Sequence, residues 1–485
     1  MGTRKALWTL MVAGTVATGA LHSTSQAATL PSVDGGGLKD LPPLQATVPT
    51  AATESAAEME QIAQGCKGCL EIETAEARPA AAEEPPYLYK VGVEGFLRGE
   101  GSGSYSLADF SYTPGRGVGQ LTYRLKPYFE WHPTDYLEIE LEGQWYGYTF
   151  GPQHDNQFSV YQGYLELTEP EKKRLSLKLG RQEFLYGSAF ILGENCFYNG
   201  LTFDAARLRF QPSPTVTVDL LGGYYAVPFT HYFDNYLLGA YATYVLQEGT
   251  AVEAYYFRDQ GAPPSVKQNH RDSFGLRGTA RIGPVALELE PVYQAGELVN
   301  PVTAARESIS AWGGHLDLSV DAEIAGRKNT FQFGYAIGSG SQAAAAGTSS
   351  RKQFSNANND TCLIGDMGFI GDLSGVDAGE VHGSGLQVAT AGWSINLAKN
   401  LNFSAIGHYF RAGNTPGGVS RDVGLETDFT LTWNIADDWA LIAAYDRLFT
   451  AGFFRDATGS DKDIQYGYLM LQFNLFHGKR KMAKG

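Results

Sequence analysis

From Tyr87 to Phe476 the chain alternates apolar and polar residues with a period of two. Leu121, Tyr123, Leu125, Phe129 and Trp131 share one parity, and Gln120, Thr122, Arg124, Lys126 and Glu130 share the other. Leu137, Ile139, Leu141 and Trp145 oppose Glu138, Glu140, Glu142 and Gln144. Phe274, Leu276, Ala280 and Ile282 oppose Ser273, Arg277, Thr279 and Arg281. Val423, Leu425, Phe429, Leu431 and Trp433 oppose Glu426, Asp428, Thr430, Thr432 and Asn434. Successive side chains of a strand point to opposite faces, so each stretch predicts a strand with one greasy face and one polar face.

A soluble sandwich gives the same alternation in any one strand, and the connections separate the two architectures. Short segments at 132–135, 169–172, 211–214, 282–284, 398–400 and 436–438 join some strands. Longer ones at 98–116, 184–201, 259–270, 297–308, 339–383 and 449–462 join the others. Short turns at one end and long loops at the other mark an outer-membrane barrel. Strand starts near 87, 118, 136, 157, 174, 202, 215, 236, 250, 271, 285, 309, 329, 385, 401, 421, 439 and 464 give about 18 strands, an even number as such barrels use. The predicted class is all-β: a transmembrane antiparallel barrel over residues 87–477. A closed ladder satisfies every strand N–H and C=O without water, which a bilayer demands. Trp131, Trp145, Trp433, Trp439, Tyr445 and Phe476 fall near strand ends, where aromatic girdles meet the membrane interfaces.

The two ends follow other patterns. Arg4 and Lys5 precede an apolar run from Ala6 to Ala20, and Ser25-Gln26-Ala27 offers a cleavage site. Residues 1–27 therefore read as an export signal rather than a spanning helix. Residues 28–86 are rich in Ala, Pro, Glu and Thr and predict a disordered periplasmic tail. Residues 478–485 form a short basic tail. The expected location is the bacterial outer membrane, with lipid against the apolar parity.

A net charge of -15 and a pI near 5.1 exclude a nucleic-acid binder, which needs a basic footprint. Cys66 and Cys69 form a C-x-x-C without the following His of a haem attachment site. In an oxidising compartment they predict a local disulfide, with a metal or a partner cytochrome as alternatives. Cys196 and Cys362 fall in two long loops that a second disulfide would tie together.

With lipid on the apolar parity, the polar parity lines the lumen. Its bases are Arg124, Lys126, Lys178, Arg207, Arg209, Arg277 and Arg281. Its acids include Glu138, Glu140, Glu142, Glu288, Glu290, Glu426 and Asp428, joined by Glu130, Glu166, Glu253 and Asp317. Some of these brace the wall as ion pairs; the others tune the passage of ions or sugars. One strand breaks phase: Leu175, Leu177 and Leu179 are followed on the same parity by Arg181 and Glu183. Either the strand leaves the bilayer near Gly180 or a bulge flips it there.

That break lies inside a recognisable motif. Gly180, Arg181, Gln182, Glu183, Tyr186 and Gly187, followed by Thr202, Phe203, Asp204, Ala205, Arg207 and Leu208, resemble the signature of the alginate-export family of outer-membrane barrels. The resemblance implies an eighteen-stranded barrel that passes a polysaccharide or another polar solute through an arginine-bearing lumen. The chain departs from the pattern at two places. Ser188–Leu192 replaces a segment that carries a basic residue, and Leu201 stands where the family often has Arg.

The expected function is passive passage of a polar solute through an outer-membrane channel. The alternatives are a general diffusion porin and a barrel that sheathes a periplasmic or cytochrome partner through its N-terminal tail. Nine scattered His and no defensible Ser-His-acid set argue against a lipid hydrolase. No catalytic residue, cofactor or metal ligand is expected. The loop 339–383 is expected either to fold into the lumen or to cover it from outside.

Overall fold

The computed structural model describes residues 87–480 except 108–110, 152–154, 195, 196, 198, 227–234, 261–268, 301–303, 342–349, 362, 363, 366, 377–382 and 437. The expected signal peptide, the tail with Cys66 and Cys69, and both Cys196 and Cys362 lie outside the described residues.

The described residues form one closed sheet. Its strands are β1 (Tyr87–Tyr105), β2 (Tyr112–Thr134), β3 (Leu137–Thr149), β4 (Asp155–Thr168), β5 (Leu175–Gln182) and β6 (Phe203–Ser213). Next come β7 (Val216–Tyr225), β8 (Tyr236–Gln247), β9 (Thr250–Gln260), β10 (His270–Ile282), β11 (Val285–Val299), β12 (Arg306–Ile324) and β13 (Arg327–Gly338). A two-residue strand, β14 (Ser350–Arg351), lies parallel against β12 and is not part of the wall. The wall continues through β15 (Leu386–Ala398), β16 (Leu401–Ala412), β17 (Asp422–Ala436), β18 (Trp439–Thr450) and β19 (Ile464–Arg480). Every wall strand pairs antiparallel with its chain neighbours, and β1 pairs with β19 to close an 18-strand barrel. No edge is left to face lipid, which is the condition for a sheet to span a membrane.

The parities behave as the pattern predicts. Leu141, Phe158, Leu276, Leu289, Phe333 and Leu469 are exposed on the outer wall, and Trp131, Trp145, Trp433, Tyr445 and Phe476 are exposed beside them. Leu431, which a sandwich would bury, is also exposed. Thr122, Arg124, Lys126, Glu142 and Gln144 on the opposite parity are buried. Val423 is the exception: it is fully buried rather than outward with Leu425. The ladder shifts between Phe410 and Arg411, so Val423 is an extra residue whose bulge turns it inward.

Strand limits also differ from the sequence reading. β1 and β2 extend well into the expected loop 98–116, leaving a connection of only 106–111. β19 runs past Phe476, so three residues assigned to the basic tail pair with β1. A short helix, α1 (Gly452–Thr458), occupies the loop after β18.

Candidate functional site

Two loops fold inside the barrel. The first, 183–202, joins β5 to β6; the second, 339–385, joins β13 to β15. The Met367 amide donates to Glu426 Oε1 on β17 at 3.0 Å, and Gln294 Nε2 on β11 donates to the Ser355 carbonyl at 2.7 Å. Gln144 on β3 donates to the Asn199 carbonyl at 2.7 Å, and Arg98 on β1 donates to the Phe197 carbonyl at 2.9 Å. The loops also bind each other. Gly193 N–H donates to Asn358 O at 2.8 Å, Asp360 N–H to Ala189 O at 2.9 Å, and Asn356 Nδ2 to Phe190 O at 3.1 Å. The long loop thus takes the inward of its two expected courses.

Where the loops meet, the interior is apolar. Phe184, Phe190, Leu192, Leu201, Phe354, Ile364, Met367, Phe369 and Leu373 share one buried cluster with Tyr105, Phe410, Phe453 and Phe454. The Phe369 ring reaches Tyr105 of β1 on one side and Phe454 of α1 on another, each at 5.7 Å between centroids. Gly313 on β12 makes room for this plug: a Cβ there would lie 2.7 Å from the Phe354 ring. Gly187, at φ +59°, turns the first loop beneath the Tyr241 hydroxyl. The expected wet lumen is therefore dry towards the long-loop end, because large side chains from two loops fill it.

The short-turn end is different: it carries a ring of ion-paired charges, most of them half-buried. Lys90 lies 3.6 Å from Glu130. Lys178 and Arg207 converge on Glu166 at 3.4 and 3.3 Å. Arg209 forms a two-pronged pair with Asp219, both contacts at 2.7 Å. Tyr164 donates to Glu138 at 3.0 Å and to Glu140 at 3.4 Å, and Arg281 reaches Asp321 at 3.5 Å. Arg207 and Arg209 share the inward parity of β6, while Leu208 and Phe210 face out.

Between ring and plug the inward charges are buried. Lys126 binds Glu94 and Glu142 at 2.8 and 2.9 Å. The Arg124 guanidinium stacks 5.2 Å from the Phe96 ring. Arg277 binds Glu253 and Glu288, each at 2.7 Å. Glu426 and Asp428 are buried, Glu426 as the anchor of the long loop. Glu290 accepts from Tyr255 at 2.6 Å and from Ser188 of the first loop at 3.0 Å.

The family motif closes the base of the first loop. Arg181 on β5 stands opposite Asp204 on β6 in the ladder and binds it through two contacts at 2.7 and 2.9 Å. Gln182 donates to the Ala205 carbonyl, Thr202 to the Ala226 carbonyl, and Tyr186 to Asp219 at 2.9 Å. Phe203 stacks on Phe184 inside. This resolves the phase break: β5 ends at Gln182, Arg181 keeps the outward parity and is neutralised by Asp204, and Glu183 belongs to the loop and meets the Tyr161 hydroxyl. Arg181→Ala is expected to leave Asp204 unpaired and cost about 1 kcal/mol. The check is limited proteolysis of the loop 183–202, which should be cut faster in the variant.

Sequence reading missed two things. One is that the loop 183–202 also turns inward and meets the long loop in an apolar plug, whose signal was Phe190-Ile191-Leu192 and Ile364, Met367, Phe369 and Ile370 in segments read only as long loops. The other is His315 on β12, buried with Nδ1 2.5 Å from Asp317 Oδ2.

A closed barrel, greasy outside and charged within, with short turns at one end, is an outer-membrane channel for solutes. The chain belongs to the alginate-export family: that family's model, described as "Alginate export", matches residues 137–466. No curated protein matches it. Solved structures of similar fold include OpdK of Pseudomonas aeruginosa, crystallised with vanillate, at 10% identity and a TM-score of 0.54, covering 81% of this chain and 100% of that one. OprD of the same organism is similar at 10% identity and a TM-score of 0.53, covering 84% and 99%. OccAB4 of Acinetobacter baumannii is similar at 10% identity and a TM-score of 0.55, covering 82% and 100%.

Proposed function

We propose that this protein passively passes a polar solute of the saccharide class, with the ionic ring at the short-turn end setting selectivity and the two inward loops restricting flow. The observation that carries this reading is that each base of the ring has an acid partner: Lys178 and Arg207 share Glu166, and Arg209 takes Asp219. Paired charges present little net field to a passing ion, so such a lumen does not select strongly for anions. Ser188–Leu192 and Leu201, where the family's pattern carries bases, agree with this. The apolar plug disfavours the general diffusion porin, which keeps an open aqueous path.

Reversal potentials across planar bilayers under a salt gradient test the proposal. The protein as it stands is expected to be weakly selective. Arg207→Glu sets a second carboxylate beside Glu166 and should shift selectivity towards cations. Strong anion preference in the unmodified protein would instead favour a polyanionic polysaccharide as the solute. An unshifted reversal potential in the variant would remove Arg207 from the conducting path.

A further inference from the structure

Among the described residues, one group of His and carboxylate atoms is gathered closely enough to hold a metal ion. Glu288 and Glu290 on β11 and His315 on β12 place one ligand atom each within 4.8 Å of one another, all buried. His315 Nε2 lies 3.4 Å from Glu290 Oε2, 3.8 Å from Glu288 Oε1 and 3.3 Å from Ser188 Oγ. Ser188 Oγ is 3.0 Å from the same Glu290 oxygen.

The three spacings from Nε2 are long for hydrogen bonds, which for N–H···O fall at about 2.7–3.2 Å. Two of them, to Glu290 and Ser188, suit a different geometry, and the third, to Glu288, is a few tenths of an ångström wider. Ligands about 2.0–2.1 Å from a tetrahedral zinc-like ion stand roughly 3.3–3.5 Å apart. The other ring nitrogen, Nδ1, is held by Asp317 Oδ2 at 2.5 Å. A carboxylate on the far nitrogen is the arrangement that aims a ligating imidazole and strengthens it as a donor. Charge agrees. The buried carboxylates of Glu253, Glu288, Glu290 and Asp317 face the guanidinium of Arg277, which binds Glu253 and Glu288 at 2.7 Å and lies 3.8 Å from Glu290. A divalent ion on His315 would offset this negative charge in place of a protonated imidazole.

We infer that Glu288, Glu290 and His315, with Ser188 as the fourth donor, form a site for a divalent transition ion of the zinc type. Mixed imidazole and carboxylate ligands suit zinc or cobalt, whereas calcium and magnesium take oxygen alone. Because Ser188 sits on the loop 183–202 and the other ligands sit on the wall, the ion would staple that loop to the barrel. Phe190, two residues on, packs against the His315 ring at 4.7 Å between centroids and keeps water from the site. The inference does not depend on which solute the channel carries.

The test uses full-length protein extracted from outer membranes in detergent without chelator. Cys66→Ser and Cys69→Ser are introduced so that the tail cannot bind metal itself. Elemental analysis should find one equivalent of zinc per chain after washing. Cobalt exchanged into the same protein should give the visible absorption of a four-coordinate ion, a readout that needs no variant at the site. His315→Ala and Glu290→Gln should abolish the equivalent, and Asp317→Asn should weaken zinc binding by about 10- to 100-fold. Heat-modifiable migration in detergent gels confirms that each variant is a folded barrel. No retained zinc and no cobalt spectrum in the protein carrying Cys66→Ser and Cys69→Ser would overturn the inference. So would an equivalent that survives both His315→Ala and Glu290→Gln.

Discussion

Replacing residues 352–384 with a short Gly-Ser linker is expected to raise single-channel conductance in planar bilayers by on the order of tenfold, because a barrel of this strand number is aqueous unless something fills it. The filling here is specific. Phe354, Met367, Phe369 and Leu373 of the excised segment are buried against the inward wall and against Phe190 and Phe454. Removing them deletes the apolar partners of the first loop as well. The barrel itself should survive, since β13 and β15 pair directly from Gly338↔Leu386 to Asn329↔Ile395 without help from the loop. If the shortened protein conducts like its parent, the plug is not the restriction, and the narrow point must lie in the ionic ring at Glu166, Lys178 and Arg207.

The second large effect is on stability. Arg277→Leu should destabilise the folded barrel by about 3–5 kcal/mol, the loss that follows when one member of a buried ionic cluster is removed and the others keep their charge. Arg277 is 3% exposed and holds both Glu253 and Glu288 at 2.7 Å. Its loss leaves those carboxylates beside Glu290 and Asp317. Arg281, four residues along the same strand, provides the contrast. Its side chain is 39% exposed and only 3.5 Å from Asp321. Arg281→Ala should cost less than about 1 kcal/mol. Denaturant titration of both variants refolded into lipid vesicles measures the difference. Equal effects would mean that water reaches Arg277 and that the cluster is not as enclosed as its burial indicates.

The motif around Gly180–Gly187 and Thr202–Leu208 takes its meaning from the same geometry. Read along the chain, its halves are separated by a loop. In the barrel they are neighbouring strands, and the Arg181–Asp204 pair closes the loop at its base. The segment that resembles the family is thus the clamp of an inward loop, while Arg207, within it, and Arg209, just beyond it, join the ring.

The sequence alone determined the closed barrel, its strands and which face of each meets lipid, because a bilayer imposes a two-residue period that any strand must display. It also placed Lys178, Arg207, Glu288 and Glu426 on the inward side. Only the tertiary structure decided what those side chains face. Phe190 and Phe369 lie in loops without periodicity, and where such loops go is set by packing against residues hundreds of positions away, as Phe369 is against Tyr105. Val423 went inward because one extra residue bulged the ladder, and His315 met Glu288, Glu290 and Ser188 because the ladder registers β11 against β12 beneath a returning loop. Local alternation records solvent on either side of a strand; it carries no record of which distant segment takes the solvent's place.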